Sequence, residues 1–170
     1  MKVKFLSWFP AFFLLVGNII FAAVSWRFPV ISMPALLAAV CEELFFRGLL
    51  FKTWLLPRMR PVSAVVLSAA LFAALHLINL TNGASYCFVC FQVLFAFCFG
   101  IWAGAVVYRQ GSILIPLCVH VLINLTGTSA EIFWLDASAS ALFLLDGLLI
   151  ASCSDQSEPQ CVSVSDVRMF

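Results

Sequence analysis

Apolar residues occur in long runs along most of the chain, and polar residues are concentrated in the short stretches between these runs. A helix needs about 20 residues to cross the roughly 30 Å hydrocarbon core of a bilayer. The pattern therefore predicts an all-α fold, a polytopic transmembrane bundle of about six helices. The predicted spans are Phe5–Ser25, Val30–Leu56, Val62–Leu80, Tyr86–Tyr108, Ile113–Leu125 and Ile132–Ala151.

The first run has a second interpretation, as a signal peptide. Lys2 and Lys4 precede it, and Ala23-Val24-Ser25 imitates a cleavage site. The run is long for the apolar part of a signal peptide, so we interpret it as a retained helix.

Composition supports a protein in lipid rather than in water. Hydrophobic residues make up 64% of the chain and charged residues 10%, whereas soluble domains are about half apolar and a quarter charged. The formal net charge is +1 and no basic run exists, so we expect no nucleic-acid partner. The seven cysteines are odd in number and mostly lie in apolar runs, where a thiol behaves as a small hydrophobic group.

The basic residues outside the spans predict the orientation. Cytoplasmic connections of membrane proteins are enriched in lysine and arginine. With the N-terminus in the cytoplasm, only Arg27 falls on the far side, and six helices also bring the tail inside. We therefore expect a multi-pass protein of the cell inner, or plasma, membrane. The cytoplasmic residues are then Lys2, Lys4, Lys52, Arg58, Arg60 and Arg109.

A few polar residues lie inside the predicted spans, where ionisable groups are costly and are functional candidates by default. The second span contains an adjacent pair of glutamates and an arginine, the third contains one histidine, and the fifth contains a histidine and an asparagine. These residues are Glu42, Glu43, Arg47, His76, His120 and Asn124.

The spacing of these residues assigns them to helix faces. Glu43 and Arg47 are four residues apart and can form an ion pair, which lowers the cost of burying both. Glu42 is rotated from Glu43 by about 100°, so it faces another neighbour and could serve as a general base. Spacing by four also places Asn124 beside His120, and Phe72 beside His76.

Two kinds of chemistry fit this set. A carboxylate and a histidine could activate water, while a second histidine and an amide bind the oxyanion of a tetrahedral intermediate. Alternatively, Glu42, His76 and His120, with or without Asn124, could ligate a metal ion that activates the water. The sequence contains no H-E-x-x-H helix of the common zinc proteases. Spacing alone leaves both alternatives open.

The three motifs, in this order and on successive apolar segments, resemble the CAAX-protease and bacteriocin-processing (CPBP, Abi) family, which includes the type II CAAX prenyl endopeptidases. They read Glu-Glu-x-x-x-Arg, then Phe-x-x-x-His, then His-x-x-x-Asn. The resemblance extends from about Pro34 to Gly127 and includes the flanking text Phe46-Arg47-Gly48-Leu49-Leu50-Phe51 and Gly111-Ser112-Ile113-Leu114-Ile115-Pro116.

The resemblance implies an intramembrane endopeptidase with its active site open toward the cytoplasm. Glu42 and His76 would activate water, and His120 with Asn124 would form the oxyanion site. Glu43, Arg47 and Phe72 would support them. Members are described both as metalloproteases and as glutamate-dependent enzymes. The cofactor is therefore open, with zinc the candidate metal, and the position of Glu42 as a free base favours the metal-free mechanism.

The expected partners are the bilayer and a membrane-associated protein or peptide substrate. A second hypothesis is a catalytically silent membrane immunity or partner protein with the same fold, and a third is a transporter fragment with a proton relay. The expected division of the chain is residues 1–33, an N-terminal helix and connection; 34–127, the protease core; 128–151, a C-terminal hydrophobic helix; and 152–170, a polar, disordered tail.

Three other polar residues in or beside the apolar runs receive minor roles. We expect Asn79 to lie at a helix end, close to His76. Asp136 and Asp146 match no family motif, so we expect them at the membrane interface or packed against the tail.

The orientation can be tested with reporter fusions after Lys4, at Met59 and at Arg109. All three should report the cytoplasmic side, because the basic residues around them favour it. A signal from the far side at Met59 would contradict either the number of helices or the orientation.

Overall fold

The computed structural model describes Val16 and residues 33–126 and 133–152, and these residues are almost entirely helical. Apart from Val16, the predicted first span lies outside them, and so does the polar tail after Ser152. Five helices follow in order. They are α1, Met33–Glu43 continuing as a π-helix over Leu44–Leu55; α2, Pro61–Leu75 continuing as a 3-10 helix over His76–Leu80; α3, Tyr86–Gln110; α4, Leu114–Thr126; and α5, Phe133–Ser152.

The last five predicted spans agree closely with these helices, so the all-helical prediction is confirmed. One feature was not predicted, namely the change of α1 from α to π geometry at Leu44. In a π-helix the backbone bonds run from residue i to i+5, and such segments are frequent at functional sites. The change falls directly after the two glutamates.

Local sequence features determine where the helices begin and end. Pro61 opens α2 after the extended residue Arg60, a position where proline loses no helical hydrogen bond. The Ser85 hydroxyl accepts from the Phe88 N–H at the start of α3. Gly111 ends α3 with a left-handed φ of 72°, and Lys52 Nζ donates to its carbonyl oxygen at 2.7 Å.

The centre of the bundle is α3, which packs most extensively against α2 and α5. Helices α2 and α3 run antiparallel and approach closely at Gly100 and Gly104, which face Ala69 and Val65. Small residues spaced four apart are a common means of close helix packing in membranes. Since Trp102 contacts Gly147 and Phe99 contacts Phe143, α5 runs parallel to α3.

The outside of the bundle is strongly apolar. Large apolar side chains are exposed on several helices, among them Leu49, Leu71 and Leu94. So many exposed apolar groups would be unfavourable in water but are expected against lipid. Within the part of the chain that the structure describes, two helices, Pro61–Leu80 and Tyr86–Gln110, are long and apolar enough to span a bilayer, and Leu114–Asn124 and Ser140–Ile150 are shorter apolar segments. The prediction of six spans stays a prediction.

Asp146 does not lie where the sequence suggested. It is buried inside the bundle with 6% of its surface exposed, and its Oδ2 accepts a hydrogen bond from Trp102 Nε1 at 2.9 Å. The prediction of an interfacial or tail-packing role was therefore wrong, because an indole N–H on α3 supplies the polar partner that α5 needs in an apolar interior. The side chain of Asp136 lies outside those described.

The close approach of α2 and α3 predicts that Gly100→Ala destabilises the bundle. A Cβ at Gly100 would lie 2.9 Å from the Cα of Ala69, and the backbone must move to relieve the clash. Overpacking of this kind costs about 1–3 kcal/mol. Thermal unfolding of the purified protein in detergent measures the loss.

Gly48→Ala is the matched control, since a Cβ at Gly48 meets nothing within 4 Å and its stability should be unchanged or slightly higher. Equal melting temperatures for Gly100→Ala and the unmodified chain would contradict the described packing.

Candidate active site

His76 lies at the point where α2 tightens from α to 3-10 geometry. The backbone N–H of His76 donates to the Ala73 carbonyl, the 3-10 pattern, and His76 Nδ1 lies 3.1 Å from the Phe72 carbonyl oxygen. A carbonyl oxygen can only accept, so the proton of the neutral imidazole is on Nδ1. The other nitrogen, Nε2, therefore holds the lone pair that a general base needs.

Glu43 and Arg47 form the ion pair that their spacing predicts. Arg47 Nη1 lies 3.1 Å from Glu43 Oε1, and the two side chains are 1% and 0% exposed. Among the described residues, Glu43 Oε2 and the guanidinium nitrogens have no hydrogen bond of good geometry. The pair thus depends on electrostatic attraction and on what surrounds it.

Aromatic rings form the surroundings of the guanidinium. Arg47 Cζ lies 4.3 Å from the ring centroid of Phe72 and 5.4 Å from that of Phe99. Ring faces are negative, so both contacts stabilise the buried cation. Phe72 also meets His76 and His120 edge to face, at 5.1 Å and 5.6 Å between centroids. The expected contact of Phe72 with His76 is therefore present, and Phe72 contacts the cation and both imidazoles.

His120 connects the two glutamates. Its Nδ1 lies 2.9 Å from Glu43 Oε1 and its Nε2 lies 3.6 Å from Glu42 Oε2. Because the carboxylate of Glu43 accepts, Nδ1 carries a proton. A second proton on Nε2 would face Glu42 and would bring the formal charges of Glu42, Glu43, Arg47 and His120 to a sum of zero, which suits an apolar interior.

Asn124 is held by α1. Its Nδ2 donates to the Ala35 carbonyl oxygen at 3.0 Å. A side-chain amide has two N–H donors, so one remains for a ligand. The same contact holds the end of α4 against the start of α1.

These side chains meet in one cavity of about 340 Å³. Its wall contains all four predicted catalytic residues, Glu42, His76, His120 and Asn124, together with Phe72. Glu42 is the accessible glutamate, with 25% of its side chain exposed, whereas Glu43 is fully buried behind it. The remaining lining residues come from all four helices α1 to α4 and are Ala35, Ala38, Asn79, Gln92, Phe95, Ala96, Phe99 and Ile123.

A family model described as type II CAAX prenyl endopeptidase, Rce1-like, matches residues 8–126, which is most of the 170-residue chain. The chain belongs to this family. Its members are embedded in the membrane, in agreement with the apolar exterior of the bundle. No curated protein and no solved structure matches the chain.

Sequence reasoning missed two contacts in the site of this family member. The first is the hydrogen bond from His120 to Glu43, which joins α4 to α1. The second is Gln92, which lines the cavity and accepts from Asn79 Nδ2 at 2.8 Å. Gln92 could have been noticed as a lone amide in the apolar run of α3, on one helical face with Phe95 and Phe99. Asn79 lies at the end of α2, as expected.

Metal binding requires several suitable side chains grouped around one position. Within residues 33–126 and 133–152, no three His, Cys, Asp or Glu side chains form a group that could hold a metal. Glu42, His76 and His120 share the cavity but do not form such a group in this arrangement. We therefore derive no step through a metal.

The cavity lies in the half of the bundle away from the basic connections. Its residues come from the first part of α1, the last part of α2, the first part of α3 and the last part of α4. Lys52 and Gly111, which contact each other, mark the opposite end. The cavity therefore faces the uncharged connection 81–85, at the end of the described bundle opposite the basic connections. The cytoplasmic opening that the resemblance implies stays a prediction.

Replacing Glu43 should lower the thermal stability much more than replacing Glu42. Removing one partner of a buried pair strands a charge and costs about 3–5 kcal/mol, so Glu43→Ala and Arg47→Ala should each melt early in detergent. Glu42→Ala, at the accessible position, should melt close to the unmodified chain.

The double variant, Glu43→Leu with Arg47→Met, removes both charges and should recover much of the stability. It should not recover activity, because His120 loses the acceptor at Nδ1. A double variant no more stable than the single ones, or an early melt for Glu42→Ala, would show that this division between the glutamates is wrong.

Proposed function

We propose that the chain is an intramembrane endopeptidase that hydrolyses a peptide bond near the C-terminus of a membrane-associated protein or peptide. The observation that supports this best is the convergence of Glu42, His76, His120 and Asn124 on one cavity, in a member of an endopeptidase family. The roles follow from the atoms that each side chain presents.

Glu42 and His76 activate the water. Glu42 is the accessible carboxylate, and His76 presents the lone pair of Nε2 because Nδ1 is engaged by the Phe72 carbonyl. An O–H bond of the water breaks, the proton passes to Glu42, and the oxygen forms a bond to the carbonyl carbon of the substrate. His76 accepts a hydrogen bond from the second O–H and aligns the water.

His120 and Asn124 stabilise the oxyanion. His120 Nε2–H and the second N–H of Asn124 donate to the negative oxygen of the tetrahedral intermediate. The C–N bond then breaks, and the proton held by Glu42 passes to the leaving nitrogen, which restores the carboxylate. Glu43 acts through His120 as a positioning residue, since its carboxylate holds Nδ1 and directs Nε2 into the cavity.

The orientation determines which part of a substrate can reach these groups. We retain the multi-pass orientation with a cytoplasmic N-terminus, in the inner or plasma membrane. Contact between Lys52 and Gly111 supports it by bringing two connections that contain basic residues to the same end. In this orientation the cavity would open away from the cytoplasm, whereas the resemblance implies a cytoplasmic opening, so the reporter fusions decide which side supplies the peptide.

Glu42→Gln is the decisive variant for the peptidase. Glutamine keeps the shape of glutamate but cannot accept a proton, and general-base catalysis contributes about a hundredfold to ten-thousandfold. Cleavage of an isoprenylated peptide ending in Cys-aliphatic-aliphatic-X should therefore fall by that factor, measured by mass spectrometry of the products.

Cys41→Ala is the matched control. Cys41 precedes Glu42 but is exposed on the outside of α1 and does not line the cavity, so its variant should cleave normally. Normal cleavage by folded Glu42→Gln protein would remove Glu42 from the mechanism. Absence of cleavage by the unmodified chain with every peptide would favour a silent partner or immunity protein.

Metal dependence has its own test. Activity should survive exhaustive chelation, because a carboxylate and an imidazole suffice to activate the water. Metal analysis of the chelated, active protein should find less than stoichiometric zinc. Loss of activity on chelation and its return with one equivalent of zinc would instead establish a metalloprotease.

A further inference from the structure

Two amide side chains line the cavity without a part in the chemistry proposed above. Asn79 lies on the 3-10 segment of α2 and Gln92 on α3, and both are partly buried. Asn79 Nδ2 donates to Gln92 Oε1 at 2.8 Å. An amide pair in an apolar bundle is costly unless its hydrogen-bonding groups are used.

The bond between them leaves one acceptor and one donor group for a ligand. It uses one N–H of Asn79 and the oxygen of Gln92, so Asn79 Oδ1 and Gln92 Nε2 stay available. Neither atom has another partner within residues 33–126 and 133–152. A free acceptor beside a free donor is the complement of a peptide group, which offers one N–H and one C=O.

Other ligands fit the pair less well. A terminal carboxylate or a phosphate offers only acceptors, so Asn79 Oδ1 would repel it. An isoprenoid chain offers no hydrogen-bonding group at all. A neutral peptide main chain satisfies both atoms.

The distance from His76 is also suitable for a peptide. Residues three apart in a 3-10 helix lie on one side, about 6 Å apart along the axis, so Asn79 follows His76 along the cavity wall. An extended chain advances about 3.3–3.6 Å per residue. The amide pair therefore meets the main chain about two residues from the scissile bond.

We propose that Asn79 and Gln92 bind the substrate main chain about two residues from the scissile bond. Gln92 Nε2 donates to a carbonyl oxygen of the peptide, and Asn79 Oδ1 accepts from a peptide N–H. This inference rests on the proposed peptidase function. Because Asn79 and Gln92 would bind main-chain groups and not side chains, they would position peptides of different sequence in the same register.

The test combines enzyme variants with backbone changes in the peptide. The probe is an isoprenylated peptide ending in Cys-aliphatic-aliphatic-X, with each amide replaced in turn by an ester, which removes one N–H and weakens one carbonyl acceptor. Affinity is measured with the full-length Glu42→Gln chain in detergent, so that turnover cannot intervene. One ester should weaken binding by about twofold to tenfold, the value of a single hydrogen bond.

Added to the Glu42→Gln chain, Asn79→Ala should weaken binding of the all-amide peptide by a similar factor. In that variant the ester that removes the bound N–H should cause no additional loss of affinity. Gln92→Met should also weaken binding, and it should remove the effect of the ester that weakens the carbonyl bound by Gln92 Nε2. It serves as the second variant where Asn79→Ala does not fold. Asn82→Ala is the control, because Asn82 is an exposed asparagine in the connection 81–85, directly after α2, that does not line the cavity. This variant should keep the full ester effect.

If the amide pair only holds α2 against α3, the ester will weaken affinity by the same factor in the variant as in the parent chain. That result overturns the proposal. Cleavage by the chain with Glu42 intact is measured on the same peptides. Ester-sensitive binding without cleavage overturns the peptidase but supports the main-chain site. Cleavage without an Asn79-dependent ester effect overturns only the site, and loss of both binding and cleavage overturns both.

Discussion

The buried ion pair between Glu43 and Arg47 is the interaction on which the rest of the site depends. An unpaired charge inside an apolar bundle costs several kcal/mol, so α1 must keep these two residues together and turned inward. Arg47 then lies against Phe72 of α2 and Phe99 of α3, and Glu43 holds His120 of α4. A single pair thus sets the positions of three neighbouring helices around the cavity.

Departures from regular α geometry place the reactive atoms. The change to 3-10 geometry at His76 directs its backbone N–H to Ala73, so that the Phe72 carbonyl accepts from the imidazole instead. The result is a histidine with its lone pair on Nε2. In α1, α geometry ends at Glu43 and the π segment carries Arg47, yet the ion pair one turn apart is kept.

Patterns within one helix were predictable from the sequence, and contacts between helices were not. Spacing by four residues correctly predicted that Glu43 pairs with Arg47 and that Phe72 contacts His76, because helix geometry alone determines such neighbours. The hydrogen bond from His120 to Glu43, the pairing of Asn79 with Gln92 and the burial of Asp146 beside Trp102 all depend on how helices rotate against one another. Hydrophobicity on every side of α2 and α3 gives no signal for that rotation.

The proposed mechanism requires that His76 and His120 are each held through Nδ1 and present Nε2 to one cavity. The chain has only these two histidines, so nitrogen-15 NMR of histidine-labelled protein in lipid bilayers reports on His76 and His120 alone. Both histidines should carry a proton on Nδ1. In Glu43→Gln protein the His120 Nδ1 signal should shift and that of His76 should not. An unprotonated Nδ1 on either histidine, or a His120 signal indifferent to Glu43→Gln, would contradict the proposed mechanism.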